Sequence, residues 1–460
     1  MMLIPEKKQL KALPVFVKIN HDKPRQAFKS FTPLPWYAIL VISFLFTSCE
    51  EAFELIPRPE SGSCEKPPLS EEEIKARIDK LPLELVWRKP FREDSLCRSS
   101  PMQPVAYQDK VLFYIPTPYT KFRCHNGANG DVVWNWSQWL SHVNPNRVLN
   151  QFLYQHYWLY DARSEMGLID MHTGQTKWQS KAGNKYGYST LFGDYIYYST
   201  EKHVGSDCYN ASLSRTPVNN FTSHKITEFP FSKQDRIYYE VIAASTWTSP
   251  WGDEMAVFNV KGYNEANHQP SVHFNVYNIT ADSLYYRAND IAPYIHESHP
   301  VIIDNHAYFL TAATAHCYDL VNRKSVWSKN WLNEKGNAGY RSIVTDNSNM
   351  YLSTSNGHVK AYDLTTGKEL WHHYFEKRCE QHEMKLYRGV LYLTNSDRRE
   401  LIGIKASDGT LLLQMKSYNR ASAFQSGVAI SEQLNQLYVT DGCEVMAFEI
   451  PENWHYDTQK

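Results

Sequence analysis

The 460-residue sequence predicts an all-β chain: an eight-bladed β-propeller of four-stranded antiparallel blades closed by an N-terminal strand, with seven blades as the alternative count. Three observations carry this. A hairpin unit bearing an aromatic residue recurs every forty-odd residues between about residue 80 and the end. Aromatics make up 14% of the chain and charged residues 21%, with 20 Gly and 23 Pro, a mixture that suits a folded, strand-rich protein. A strand around residue 87 can supply what the last unit lacks. The formal net charge of −1 provides no field to draw the chain onto nucleic acid, so no nucleic-acid partner is expected.

Residues 1–35 carry scattered Lys and Arg and no periodic apolar face; an uncharged run of thirteen residues, Trp36 to Ser48, then ends at Cys49. Such a run is too short to cross about 30 Å of hydrocarbon but suits the apolar region of a secretory signal. The small residues before Cys49 resemble a bacterial lipobox, with Phe46 where Leu is usual. Acyl chains contribute about 0.8 kcal/mol per buried CH₂, so acylated Cys49 is expected to hold the chain on a lipid bilayer without a spanning helix. Residues 1–48 therefore read as a basic leader and lipoprotein signal peptide. Residues 49–69, with Glu50, Glu51 and Glu54 ahead of Pro57, Pro59, Pro67 and Pro68, read as a tether. Ser70 followed by Glu73 forms a capping-box pattern and predicts a short helix over 70–80. Residues 81–460 are left for the propeller.

The clearest repeat runs from Ala361 to Trp371: an alternating strand, a turn containing Gly367, and a strand carrying Trp371. With Asp363 as anchor, equivalent positions are Asn126, Asp170, Ser214, Asn278, Asp319, Lys405 and Glu449, at intervals of 44, 44, 64, 41, 44, 42 and 44. Eight residues beyond the anchors stand Trp134, Trp178, Thr222, Tyr286, Trp327, Trp371 and Leu413, and the Ser214 copy is the poorest. Gly130, Gly174, Gly367 and Gly409 recur four residues after their anchors, where a positive φ is cheap for glycine. Glu449 lies too near the end for a further strand. Leu85 to Arg88, with Trp87, can supply it, closing a ring and removing exposed sheet edges.

The Asp-x-x-Thr-Gly-x-x-x-Trp pattern at Asp170 to Trp178, and Asp363-Leu364-Thr365-Thr366-Gly367 leading to Trp371, resemble the PQQ-like propeller repeat. That repeat occurs in eight-bladed quinoprotein dehydrogenases and in the propeller lipoprotein of the outer-membrane barrel-assembly machinery. The resemblance implies that Trp87, Trp134, Trp178, Tyr286, Trp327 and Trp371 dock neighbouring blades. Quinone-binding members carry two adjacent cysteines beside the cofactor. Here Cys64, Cys97, Cys124, Cys208, Cys317, Cys379 and Cys443 include no adjacent pair, so no quinone and no other cofactor is expected.

Catalytic signals are thin. His296-Glu297-Ser298-His299 and the group His372, His373, His382 and Glu383 lack the spacing of a zinc helix, and no metal site is expected from them. No nucleophile elbow, phosphate loop or dinucleotide fingerprint is present. Asp235, Glu240, Asp253 and Glu254 are carboxylates whose pairing spacing does not reveal. The long interval between Ser214 and Asn278 contains Trp247 and Trp251, and its extra twenty or so residues predict a loop or longer hairpin on one face. Exposed Trp residues are of the type that anchors interfaces, so both are candidate contact residues. The expected role is a lipid-anchored binding or scaffold protein at the envelope of a Gram-negative bacterium, attached to its outer membrane, with protein or glycan partners. By resemblance, a place in an outer-membrane assembly complex is one version. An oxidoreductase or glycan-cleaving enzyme using the central channel is the alternative.

Overall fold

The computed structural model describes residues 70–456 apart from 91–101, 117–119, 139–149, 162–164, 182–184, 206–207, 231–236, 265–268, 293–298, 312–313, 331–339, 355, 376–383, 396–398, 419–423 and 425. The chain divides into two units, Met1–Pro68 and Leu69–Lys460. The segments expected to be leader and tether, with Cys49, fall in the first unit but for residue 69 and lie outside the described residues. No helix among the described residues is long and apolar enough to cross a membrane.

Helix α1, Glu71–Ile78, opens on the expected box: the Ser70 hydroxyl accepts from the Glu73 amide, and the Glu73 carboxylate accepts from the Ser70 amide. The chain then enters β1 (Leu85–Pro90). Blade 1 follows as β2 (Val105–Tyr107), β3 (Lys110–Pro116), β4 (Thr120–Asn126) and β5 (Val132–Gln138). Blade 2 is β6 (Asn150–Tyr154), β7 (Tyr157–Asp161), β8 (Glu165–Asp170) and β9 (Thr176–Lys181). Blade 3 is β10 (Lys185–Phe192), β11 (Tyr195–Gly205), β12 (Cys208–Pro217) and β13 (His224–Phe229). Blade 4 is β14 (Ile237–Thr248), β15 (Glu254–Asn264), β16 (Gln269–Asn278) and β17 (Ser283–Ala292). Blade 5 is β18 (Val301–Ile303), β19 (His306–Leu310), β20 (Thr314–Asp319) and β21 (Lys324–Asn330). Blade 6 is β22 (Tyr340–Thr345), β23 (Asn349–Thr354), β24 (His358–Asp363) and β25 (Glu369–Tyr374). Blade 7 is β26 (Lys385–Tyr387), β27 (Val390–Asn395), β28 (Glu400–Lys405) and β29 (Leu411–Lys416).

Blade 8 contains β30 (Ala429–Ser431), β31 (Gln436–Thr440) and β32 (Glu444–Glu449), and its fourth strand is β1. Trp87 pairs with Ala447 and Arg88 with Met446, so the head of the propeller completes the blade begun at its tail. Closure is equally visible in the core, which consists of apolar clusters at the seams between blades. Val111, Phe113 and Ile115 point one way, into the seam with Trp87, Tyr438 and Ala447 of blade 8. Leu112 and Tyr114 point the other way, into the seam with Trp158 and Tyr160 of blade 2. Such a strand is buried on both faces, which is why β3 reads as a continuous apolar run instead of an alternating one. Equivalent clusters fill the remaining seams round the ring.

Every outer strand carries a β-bulge next to its seam-facing residue. The residues aligned there, by pairing, are Trp87, Trp134, Trp178, Thr227, Tyr286, Trp327, Trp371 and Leu413. In blade 3 the aligned residue is therefore Thr227, opposite Leu213, and not Thr222. The anchor of that blade shifts too. In each blade the amide after the anchor donates to the turn between the first two strands or to the first residue beyond it, as Met171 does to His156, and in blade 3 this donor is Val218, bonded to Asp194. Pro217, three residues beyond Ser214, is thus the anchor.

The long interval is not a loop. Strands β11, β12 and β14 to β17 run 10 to 12 residues, whereas strands of the other six blades run 3 to 7. The additional residues of the interval lengthen β14, β15 and β16 of blade 4; β11 and β12 of blade 3, equally long, lie almost wholly ahead of it.

Candidate binding surface at blades 3 to 5

The turns of the repeat set the geometry of each seam. Asp170 Oδ1 accepts from the amides of His172 and Thr173, and Asp363 Oδ1 from that of Thr366, so the anchor side chain folds the turn locally. The tryptophan of the preceding blade then meets the residue after the anchor. Indole N–H groups donate to backbone carbonyls: Trp87 to Gly127 at 2.5 Å, Trp134 to Met171 at 2.9 Å, Trp178 to Val218 at 2.7 Å, Trp327 to Leu364 at 2.9 Å and Trp371 to Ala406 at 2.7 Å.

The same rings explain which units keep their glycine. A Cβ added at Gly130, Gly174, Gly367 or Gly409 would stand 2.5 to 2.8 Å from Trp87, Trp134, Trp327 or Trp371 respectively. Asp282 and Arg323 occupy the corresponding turn position at φ of 50° and 56°, and the blades before them present Thr227 and Tyr286 in place of an indole. Glycine is retained for the ring above it, beyond its tolerance of the left-handed conformation. The seam of Trp178 departs from this pattern: Phe221 lies against that indole at 5.2 Å.

Tyr286 meets blade 5 through its ring, 6.5 Å from Tyr318, while its neighbour Tyr285 supplies the hydroxyl that donates to the Val321 carbonyl at 3.5 Å. Of the two candidate contact residues, only one is available. Trp247 is 4% exposed and donates to Asn305 Oδ1 at 2.9 Å, so it belongs to the seam between blades 4 and 5. That burial corrects its reading as a contact residue: Trp247 is the last but one residue of β14, and the period-2 alternation of that strand turns it inward. Trp251, in the turn that follows, is 50% exposed. Its ring packs edge-on against Trp247 at 5.9 Å and lies 5.7 Å from Tyr285. Its N–H donates to Asp253 Oδ2, which also accepts from Asn278. The Arg323 guanidinium covers Tyr285 at 4.0 Å. Tyr285 and Arg323 carried no signal in the sequence beyond departing from the repeat.

Between blades 3 and 4 an open cleft of about 260 Å³ takes up part of the seam. Arg215 forms one wall, bonded to Glu254 at 2.6 Å and stacked on Tyr195 at 4.5 Å. Tyr277 forms another, donating to Asp282 Oδ1 at 2.7 Å, and burial followed by that bond pushes its hydroxyl up to about 12.

The candidate carboxylates do not gather. Glu254 binds Arg215 and Tyr197, Glu240 binds Lys261, Asp253 holds Trp251 and Asn278, and Asp235 lies outside the described residues. Among the described residues no three His, Cys, Asp or Glu side chains converge as metal ligands. His372 meets His358 at 2.6 Å; His296, Glu297, His382 and Glu383 lie outside the described residues. Cys124 and Cys317 are free and buried, and burial raises both thiols to about 12, away from nucleophilic use. Cys443 is disulfide-bonded.

These features define a closed eight-bladed β-propeller, five of whose seams are built from a repeated turn and an indole. Residues 311–452 match the family model described as outer membrane protein assembly factor BamB. The chain is similar to BamB from Moraxella catarrhalis, at 10% identity over 80% of this chain and all of that one, with a TM-score of 0.50. It is also similar to quinohemoprotein alcohol dehydrogenase from Comamonas testosteroni, at 10% identity over 84% of this chain and 79% of that one, with a TM-score of 0.56. Saccharomyces cerevisiae Sqt1 gives 9% identity over 77% and 97%, with a TM-score of 0.53. No curated protein matches the sequence. The family match is confined to residues 311–452, and at such identities the structural likeness speaks for the fold alone.

Proposed function

We propose that this protein is a binding scaffold of the bacterial envelope, tethered to the outer membrane through acylated Cys49 and engaging a protein partner through the turn face of blades 4 and 5. The tryptophans and Tyr286 at the seams lock neighbouring blades into a stiff platform. Trp251 carries the reading. An indole half exposed, yet braced by Trp247, Tyr285 and Asp253, loses little freedom on meeting a partner and offers a large apolar face. The match to the BamB family model and the likeness to BamB from Moraxella catarrhalis support a place among outer-membrane assembly proteins.

Crosslinking in the native envelope, followed by identification of what co-purifies, tests this. Trp251→Ala should lose the partner while keeping the fold, at a stability cost of about 1 kcal/mol for the half-buried ring. Trp247→Ala should cost about 3–5 kcal/mol as a buried truncation. The reading fails if purified protein turns over a quinone or sugar substrate and loses that activity when one channel carboxylate is changed.

A further inference from the structure

The seam between blades 3 and 4 differs from the five indole seams on both sides. Blade 3 presents Thr227 where they present tryptophan, and blade 4 offers Asp282 where four of them offer glycine. The residues of blade 4 that line the cleft are Tyr277, Ile279 and Asp282: the one before the anchor, the one after it and the one at the left-handed turn position. These are the positions that receive the ring elsewhere. Trp87, for example, stacks on His125 at 6.0 Å, donates to the Gly127 carbonyl and covers Gly130. The cleft therefore lies where other seams hold an indole supplied from within the ring.

We propose that this cleft receives an aromatic side chain, an indole above all, from a polypeptide outside the ring. Size allows it: about 260 Å³ exceeds the roughly 150 Å³ of an apolar protein cavity that takes up benzene. The walls suit a planar ring, with Tyr277 on one side, Ile226 and Ile279 for apolar contact, and Arg215 already stacked on Tyr195. They are also prepared in advance. Arg215 is tied to Glu254 and Tyr277 to Asp282, so entry of a ring need not reorganise either, and little ordering cost falls on binding. The carbonyl of Ile279 is the counterpart of those that accept indole N–H groups elsewhere, and its residue is fixed by the Ile279 amide donating to Glu254. Asp282 carries a Cβ where the glycine seams have none, so the guest ring enters from the open side.

The inference stands apart from the Trp251 surface and is tested on the full chain with two probes. These are N-acetyl-tryptophanamide and a short unstructured peptide carrying one Trp, each followed by saturation-transfer NMR. Saturable binding of both is expected, with none for the peptide whose Trp is replaced by Ala. Thr227→Trp fills the cleft from blade 3 and should weaken binding at least about tenfold. Should that side chain distort the seam, as read from the melting temperature, Tyr277→Ala removes one wall and should weaken binding by a similar factor. Absence of saturable binding, equal binding of the Ala peptide, or undiminished binding by the correctly folded variant overturns the proposal.

Discussion

If four of the seams are shaped by an indole lying on a glycine, replacing that glycine should be costly only while the indole is present. Gly367 sits at φ +63°, and a Cβ there would stand 2.6 Å from Trp327 Cδ2 and 2.9 Å from its Cγ. The left-handed backbone costs an ordinary residue about 1–2 kcal/mol. Overpacking against a ring that is 8% exposed and held by its bond to the Leu364 carbonyl adds about 1–3 kcal/mol. Gly367→Ala should thus destabilise the protein by about 2–5 kcal/mol. In a Trp327→Ala background, itself costing about 3–5 kcal/mol, only the backbone part remains. The two changes should therefore be non-additive by about 1–3 kcal/mol, well beyond the roughly 0.5 kcal/mol scatter of independent sites. Arg323, at φ 56° with no indole above it, is the chain's own example of the tolerated case. Urea unfolding followed by far-ultraviolet circular dichroism on the four proteins measures the cycle. Strict additivity would refute the reasoning.

The other expectations concern acid and the anchor. Burial lowers His125 and His316 to about 4, whereas the unfolded rings titrate near 6.5. Below pH 6.5 the unfolded chain takes up protons that these folded rings refuse, so their contribution is complete above 6.5 and is lost progressively down to about 4, by at most about 3 kcal/mol each. Melting temperature against pH should fall less steeply over that window in His316→Phe than in the unmodified protein; identical profiles would contradict the assignment. Cys49→Ala should move the protein from the membrane to the soluble fraction after cell lysis, and its retention in the membrane would count against acylation.

Much of the ring was legible because its determinants are local. Asn126, Asp170, Asn278, Asp319, Asp363, Lys405 and Glu449 each end the third strand of a blade, and a short turn of fixed length carries the count from anchor to aromatic. Blade 3 broke the count for the same reason. Its third strand ends at Pro217, and a longer turn puts Thr227, not Thr222, in register, a shift that only strand pairing reveals. The lengthened strands of blades 3 and 4 carried no signal of their own, since added length in a hairpin and in a loop look alike when neither has a marked turn. The candidate surface was half legible. Trp247 and Trp251 stand four apart in sequence, and their opposite burial depends on where β14 ends. Tyr285 and Arg323 come from different blades and meet only once the ring is formed.

A ring that presents its turns as a fixed platform requires that head and tail be joined. The amides of β1 pair along β32, and the Glu449 amide donates to the Glu84 carbonyl at 2.9 Å. Hydrogen exchange read by mass spectrometry on the full chain reports this directly. Peptides spanning residues 85–89 should exchange as slowly as those spanning 445–449, both through opening of blade 8. Exchange of 85–89 at the rate of unstructured chain, with 445–449 still protected, would mean that the ring is not closed by its first strand.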